Sequence, residues 1–143
     1  MGAITRFRHE YAFLSNFYPV SIEFEGSVYA AVEDAFQAAK TLDPKERMLI
    51  QLCQTPGDAK RCGRKVTLRD NWDEIKVDIM YQLLQKKFTN PTLRQKLLAT
   101  GDAQLVEGNN HGDVFWGQVN GQGQNHLGLL LMRIRDEINR GEC

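Results

Sequence analysis

Asn71-Trp72-Asp73-Glu74-Ile75-Lys76-Val77-Asp78-Ile79-Met80-Tyr81-Gln82-Leu83-Leu84-Gln85-Lys86-Lys87-Phe88 is the stretch whose reading decides the fold class. Trp72, Ile75, Ile79, Met80, Leu83, Leu84 and Phe88 recur at spacings of three and four, so the segment predicts one amphipathic helix with a single apolar face. Upstream, Thr55-Pro56-Gly57-Asp58 reads as a helix start and Gly63 as its stop. Asp43-Pro44-Lys45-Glu46 is a second start, with Asp43 as cap, Pro44 first and Glu46 closing a capping box, and its helix runs to about Leu52. Val32 to Leu42 is also helical in pattern. Before it, Ile22, Phe24, Val28 and Tyr29 lie between the turn formers Ser15-Asn16, Pro19 and Gly26, which predicts short strands or a hairpin.

Downstream, Asn90-Pro91 opens a helix carrying Leu93, Leu97 and Leu98, which Gly101 ends, and Leu105-Val106-Glu107 reads as a short strand. Gly108 to Gln124 is a long stretch rich in glycine and asparagine, with Val114-Phe115-Trp116 at its centre. Such a loop is a site candidate, because long loops within a domain are functional or mobile and aromatics at its centre argue against a plain linker. Leu127, Leu130, Leu131, Ile134 and Ile138 then form a last helix. The expectation is one α+β domain over residues 1–143, mainly helical with a few short strands.

The chain of 143 residues, 42% of them hydrophobic, is long enough for one sizeable core and short for two ordinary domains. No segment approaches the roughly 20 apolar residues of a membrane-spanning helix, and the N-terminus does not read as a signal peptide, so a cytoplasmic protein is expected. Cys53, Cys62 and Cys143 are an odd set without metal-ligand spacing, which points to reduced thiols. Lysine plus arginine balance aspartate plus glutamate at 18 each, excluding a global basic field for long nucleic acid. An anionic substrate must therefore be met by local charge. His9, His111 and His126 have no mutual ligand spacing and no serine lies in a nucleophile elbow, which sets aside metal and serine hydrolases. No cofactor is expected.

Three segments can carry chemistry. Glu33, Phe36, Gln37 and Lys40 fall on one helical face, where a carboxylate, an amide and an ammonium could position a polar ligand; the alternative is a solvated, salt-bridged face. His111-Gly112-Asp113-Val114-Phe115-Trp116-Gly117 joins an acid to an aromatic that could stack on a base or sugar, or else anchors a loop in which Asp113 makes a turn. Lys60, Arg61, Arg64, Lys65 and Arg69 form the dense basic segment suited to phosphates, with Arg64 preferred, unless they are merely solvated. A weaker candidate is Gly121 to Gly128, whose glycines precede a helix N-terminus that could receive an anion, although capping by Asn125 is the simpler role.

Phe13-Leu14-Ser15-Asn16-Phe17-Tyr18-Pro19, Glu33 with Phe36-Gln37 and Lys40, Asp113 with Phe115-Trp116-Gly117, and Asn125-His126-Leu127-Gly128 with Leu131-Met132 and Arg135 together resemble the YbiA-like, or NADAR, family. The motifs keep the family's order from Phe7 to Arg135. The resemblance implies the compact YbiA-like fold and cleavage of an N-glycosidic bond. The implied substrates are ADP-ribose on a base, such as guanine in ADP-ribosylated DNA, or a phosphorylated ribosylamino-pyrimidine of riboflavin synthesis. It points to Glu33, Lys40, Trp72, Asp113 and Trp116 at the site, with Asn16 and Phe17 at its rim. Asp34-Ala35 departs from the histidine or tyrosine of many relatives, which bears on leaving-group contact.

Cleaving a ribosyl–nitrogen bond passes through an oxocarbenium-like state that needs a nearby anion and an activated water. The expected catalytic groups are Glu33 and Asp113 in either order of roles, with Lys40 as a Schiff-base alternative. The expected binding groups are Asn16, Phe17, Gln37, Arg64, Trp72, Trp116 and Asn125. The rival expectation is a non-catalytic reader that binds ADP-ribose or a nucleotide.

Overall fold

The computed structural model describes residues 2–141, so the reading of Cys143 as a reduced thiol lies outside the described residues. The chain divides into two compact units: Asn16–Lys87, and the residues up to Ser15 together with those from Phe88 onward.

The central unit opens with an antiparallel hairpin, β1 (Ile22–Phe24) and β2 (Ser27–Tyr29), in which Ile22 faces Tyr29 and Phe24 faces Ser27. Glu25 and Gly26 make the turn with φ of 47° and 92°, the left-handed pair that matches the twist of a two-residue hairpin. Ile22, Phe24 and Tyr29 point inward, as the alternation predicts. Four helices follow: α1 (Val32–Ala39), α2 (Pro44–Gln51), α3 (Pro56–Gly63) and α4 (Trp72–Lys87). The last is the helix of the deciding stretch. It buries Trp72, Ile79, Met80, Leu83 and Leu84, each of which gains roughly 1.5–3 kcal/mol on leaving water. Lys87 is also fully covered; burial pushes its pKa down to about 7, and its ammonium lies 5.9 Å from the centre of the Tyr18 ring.

The start signals act as expected. Asp43 accepts from Lys45 N, Thr55 from Asp58 N, and Pro44 and Pro56 open their helices. Three expectations change. Glu46 closes no capping box: its carboxylate accepts from Thr41 Oγ1 at 2.6 Å and Thr67 N at 3.0 Å, tying two loops instead. Gly63 does not stop α3 but lies in its last turn, where a Cβ would stand 1.9 Å from Gln37 Oε1; glycine lets α3 approach α1. Helix α1 is shorter than the pattern predicts because its end tightens, with Lys40 N donating to Gln37 O and Thr41 N to Ala38 O.

The other unit begins with β3 (Ala3–Ile4), which pairs in parallel with β4 (Gln104–Leu105), and includes a 3-10 helix His9–Leu14 that the pattern does not reveal. Helix α5 (Pro91–Ala99) is capped by Asn90, which accepts from Thr92 N and Leu93 N. Helix α6 (His126–Asn139) buries Leu127, Leu130, Leu131, Ile134 and Ile138. The architecture is mainly helical with short strands, the α+β class expected. No described helix is long and apolar enough to cross a membrane.

Candidate functional site

Helix α1 is buried on every side: Glu33, Asp34 and Gln37 are all covered along with its apolar residues. The face of Glu33, Gln37 and Lys40 is therefore not the solvated face weighed as the alternative. Gln37 Nε2 donates to Glu33 Oε2 at 2.5 Å, and Gln37 Oε1 rests against Gly63 without a hydrogen-bond partner. Burial raises the Glu33 pKa; the Gln37 hydrogen bond and the ammonium groups of Lys60 and Lys40 pull the other way. Lys40 is lowered, first by burial, with Glu33 opposing and Arg64, Lys60 and Lys76 assisting. The net effect is a carboxyl that holds its proton more strongly than usual beside an amine that releases one more readily.

Several neighbours hold this helix. Asn16 O accepts from Glu33 N at 3.0 Å, while Asn16 Nδ2 donates weakly to Met80 Sδ at 3.6 Å and its Oδ1 is buried without a partner. Phe36 packs on Trp72 with ring centres 5.1 Å apart, and Trp72 is nearly covered. Phe17 is 43% exposed and Arg64, which follows α3, is exposed as well. The basic segment divides by role. Arg61 pairs with Asp58 on its own helix, and Arg69 closes the end of α1 through Nη1 to Ala39 O at 3.2 Å and N to Lys40 O at 2.7 Å.

In the other unit, Asp113 Oδ1 accepts from Phe115 N at 3.2 Å and Trp116 N at 2.9 Å, which is a turn-making geometry. Asn109 organises the same loop: its Oδ1 accepts from Asp113 N at 3.0 Å and His111 N at 3.2 Å, and its Nδ2 donates to Asp113 O at 2.9 Å. Phe115 lies 4.4 Å from the His126 ring and 4.9 Å from half-buried Trp116. The segment Gly108–Gln124 is thus knitted by its own polar groups. Gly117 permits that closure, since a Cβ there would meet Glu107 O at 2.0 Å.

The anion and capping roles weighed for Asn125 and the α6 N-terminus both need correction. Asn125 sits at the cap position with φ 53° and makes no side-chain cap; its Oδ1 accepts from Glu107 N at 2.9 Å and its Nδ2 donates to Leu105 O at 3.0 Å. The first amides of α6 donate to Phe115 O and Trp116 O, so the loop itself takes the donors an anion would need. Among the described residues no three His, Cys, Asp or Glu side chains cluster as a metal site would require.

Sequence reasoning passes over Asn109 and gives Lys60 and Asp34 other parts. Asn109 carries no motif beyond its place in a polar loop. Lys60 was grouped with a basic run, and only the packing of α3 on α1 brings its charge to Glu33. Asp34 is 2% exposed, its Oδ1 is buried without a partner, and burial raises its pKa; its neighbour Glu33 was the available signal.

The NADAR domain matches residues 5–139. An N-glycosidase of Nostoc punctiforme is 42% identical over 135 residues, covering 90% of this chain and 86% of that one. The N-glycosidase YbiA of Escherichia coli is 39% identical, covering 90% and 82%. The NMR structure of the E. coli protein YbiA aligns with a TM-score of 0.84 at 36% identity, covering 99% of this chain and 86% of that one. A riboflavin biosynthesis protein of Vibrio vulnificus is 36% identical, covering 90% of this chain but 36% of its own length. The family match over nearly the whole chain, with relatives about 40% identical over most of their own length, shows that the chain belongs to the NADAR family.

Proposed function

We propose that this N-glycosidase, a hydrolase acting on N-glycosyl compounds, cleaves a ribosyl–nitrogen bond in a phosphorylated substrate. The candidate substrates are ADP-ribose attached to a base, guanine in DNA included, and a phosphorylated ribosylamino-pyrimidine. The observation that carries the reading is Glu33: a buried carboxyl of raised proton affinity, fixed by Gln37 and offset by the charge of Lys60 and Lys40. Such a group can give a proton to the departing nitrogen and, once ionised, steady the oxocarbenium-like state or draw a proton from water.

In this reading Arg64 and Lys60 meet phosphate, since Arg61 and Arg69 are engaged by Asp58 and by the end of α1. Phe17 offers a ring for a base, and Asn16, Gln37 and Trp72 shape the surroundings of Glu33. Asp113 holds the Trp116 turn; a direct part for it as the second acid is the competing assignment. Lys40, with its lowered pKa, keeps open attack on the anomeric carbon. The balanced overall charge favours lesion-centred recognition over tracking along a duplex.

The test is chromatographic detection of released base and ADP-ribose from guanine-ADP-ribosylated DNA, with a ribosylamino-pyrimidine phosphate in parallel and Glu33→Gln as control. Release from DNA that Glu33→Gln abolishes assigns the DNA substrate; release from the small phosphate alone assigns metabolic clearance. Tight binding with no product from either would replace the enzyme with a reader. Borohydride trapping at Lys40 would move the mechanism to a Schiff base.

A further inference from the structure

Cys53 follows α2 and Cys62 lies in the last turn of α3, and their Sγ atoms are 3.5 Å apart with both side chains half-buried. The odd cysteine count gave no reason to pair them; the fold brings together two thiols nine residues apart in the chain. Closing to the ~2.05 Å of a disulfide asks for about 1.5 Å of approach, within the reach of a loop and a helix end. Cys62 is followed by Gly63, the residue against which Gln37 rests while donating to Glu33.

We infer that Cys53 and Cys62 form a site of reversible oxidative modification, in which a peroxide-class oxidant closes an intramolecular disulfide and the shift of α3 reaches the Gln37–Glu33 pair. The order of attack follows from the surroundings. The Cys53 thiol is pushed up to about 11, by burial first and then by its contact with Cys62, with Asp58 and Asp34 adding to it. Cys53 is thus a thiol at neutral pH, and Cys62 meets the oxidant. Cys62 gives up its proton as its Sγ attacks one peroxide oxygen, the O–O bond breaks, and a sulfenic acid forms while the departing hydroxide takes up that proton as water. Cys53 then gives up its proton and attacks Cys62 Sγ, expelling the hydroxyl as water. Two thiols and one hydrogen peroxide yield one disulfide and two waters; the sulfurs lose two electrons and the peroxide gains them.

The disulfide itself is independent of the proposed function, whereas its effect on turnover rests on Glu33 being the acid. The test uses the full chain carrying Cys143→Ser, treated with hydrogen peroxide and then alkylated. Trypsin cuts after Lys60 and Arg61, so the two cysteines lie on separate peptides. Expected are simultaneous loss of both thiols, a mass lower by two hydrogens, a cross-linked peptide pair, and recovery with dithiothreitol. Hydrogen exchange in α1 should change on closure, and turnover should shift several-fold and reversibly; Cys53→Ser should abolish all of these responses. A single thiol oxidised to sulfinic acid, or disulfides between chains only, overturns the site. A closed disulfide with α1 exchange and turnover unchanged overturns the link to Glu33. Because thiol mapping and exchange need no substrate, a failed activity assay leaves this inference standing or falling on its own.

Discussion

Two regions of this chain carry acids beside aromatics, and they use them in opposite ways. On α1, Glu33 is removed from solvent and held by one side-chain amide, so its proton affinity rises. In the Gly108–Gln124 segment, Asp113 gives an oxygen to two backbone amides, and the loop closes around Asn109. A carboxylate that accepts backbone hydrogen bonds is committed to shape, while one that is desolvated with few partners is poised for proton transfer.

The largest expected effect is on turnover. Glu33→Gln should lower kcat by about 10²–10⁴-fold with circular dichroism unchanged, whereas Asp113→Asn, which keeps the accepting Oδ1, should cost no more than a few-fold. Equal losses in steady-state kinetics would erase the contrast and make Asp113 the second acid. The pH profile sharpens it further: if Glu33 is the proton donor, kcat falls as pH rises through its raised pKa, and an increase over that window would make it the base.

Next come two of the glycines of close approach. Gly117→Ala drives a methyl into the Glu107 carbonyl and should destabilise by about 1–3 kcal/mol in denaturant unfolding. Gly63→Ala meets only the Gln37 side chain, which can turn away. It should cost less stability, about 1 kcal/mol, but more activity, because Gln37 then leaves Glu33. The reverse ranking in unfolding and kinetics would break the distinction between shape and chemistry.

A smaller effect follows from the burial of Glu33. Its folded pKa lies above its unfolded one, so the contribution to stability is complete below the ordinary carboxylate range and is lost as pH rises through the raised value. Glu33→Gln removes that dependence. The variant should melt above the native protein at neutral pH, with the gap closing toward about pH 4. The smallest expected change is at Arg64: Arg64→Ala should raise KM more than it lowers kcat, and an unchanged KM would remove the phosphate assignment.

Helix α4 was legible because sixteen residues with a regular apolar period leave few alternatives, and Asp43, Thr55 and Asn90 announced their helices because a cap is a local hydrogen bond. The 3-10 helix His9–Leu14 was illegible, since six residues are too few to show a period. Glu46 and Asn125 were misread as local caps, because the partners that win their side chains, Thr67 for one and Leu105 with Glu107 for the other, lie about twenty residues away.

By itself the sequence determined the helical α+β class, short strands or a hairpin around Gly26, and the helical face that gathers Glu33, Gln37 and Lys40, because each depends on neighbours within a turn or two of chain. Only the tertiary structure decided that this face is buried, that Lys60 tempers Glu33, that Gly63 seats Gln37 and that Cys53 meets Cys62. Desolvation and helix contact arise between segments distant in the chain, and no local pattern records them.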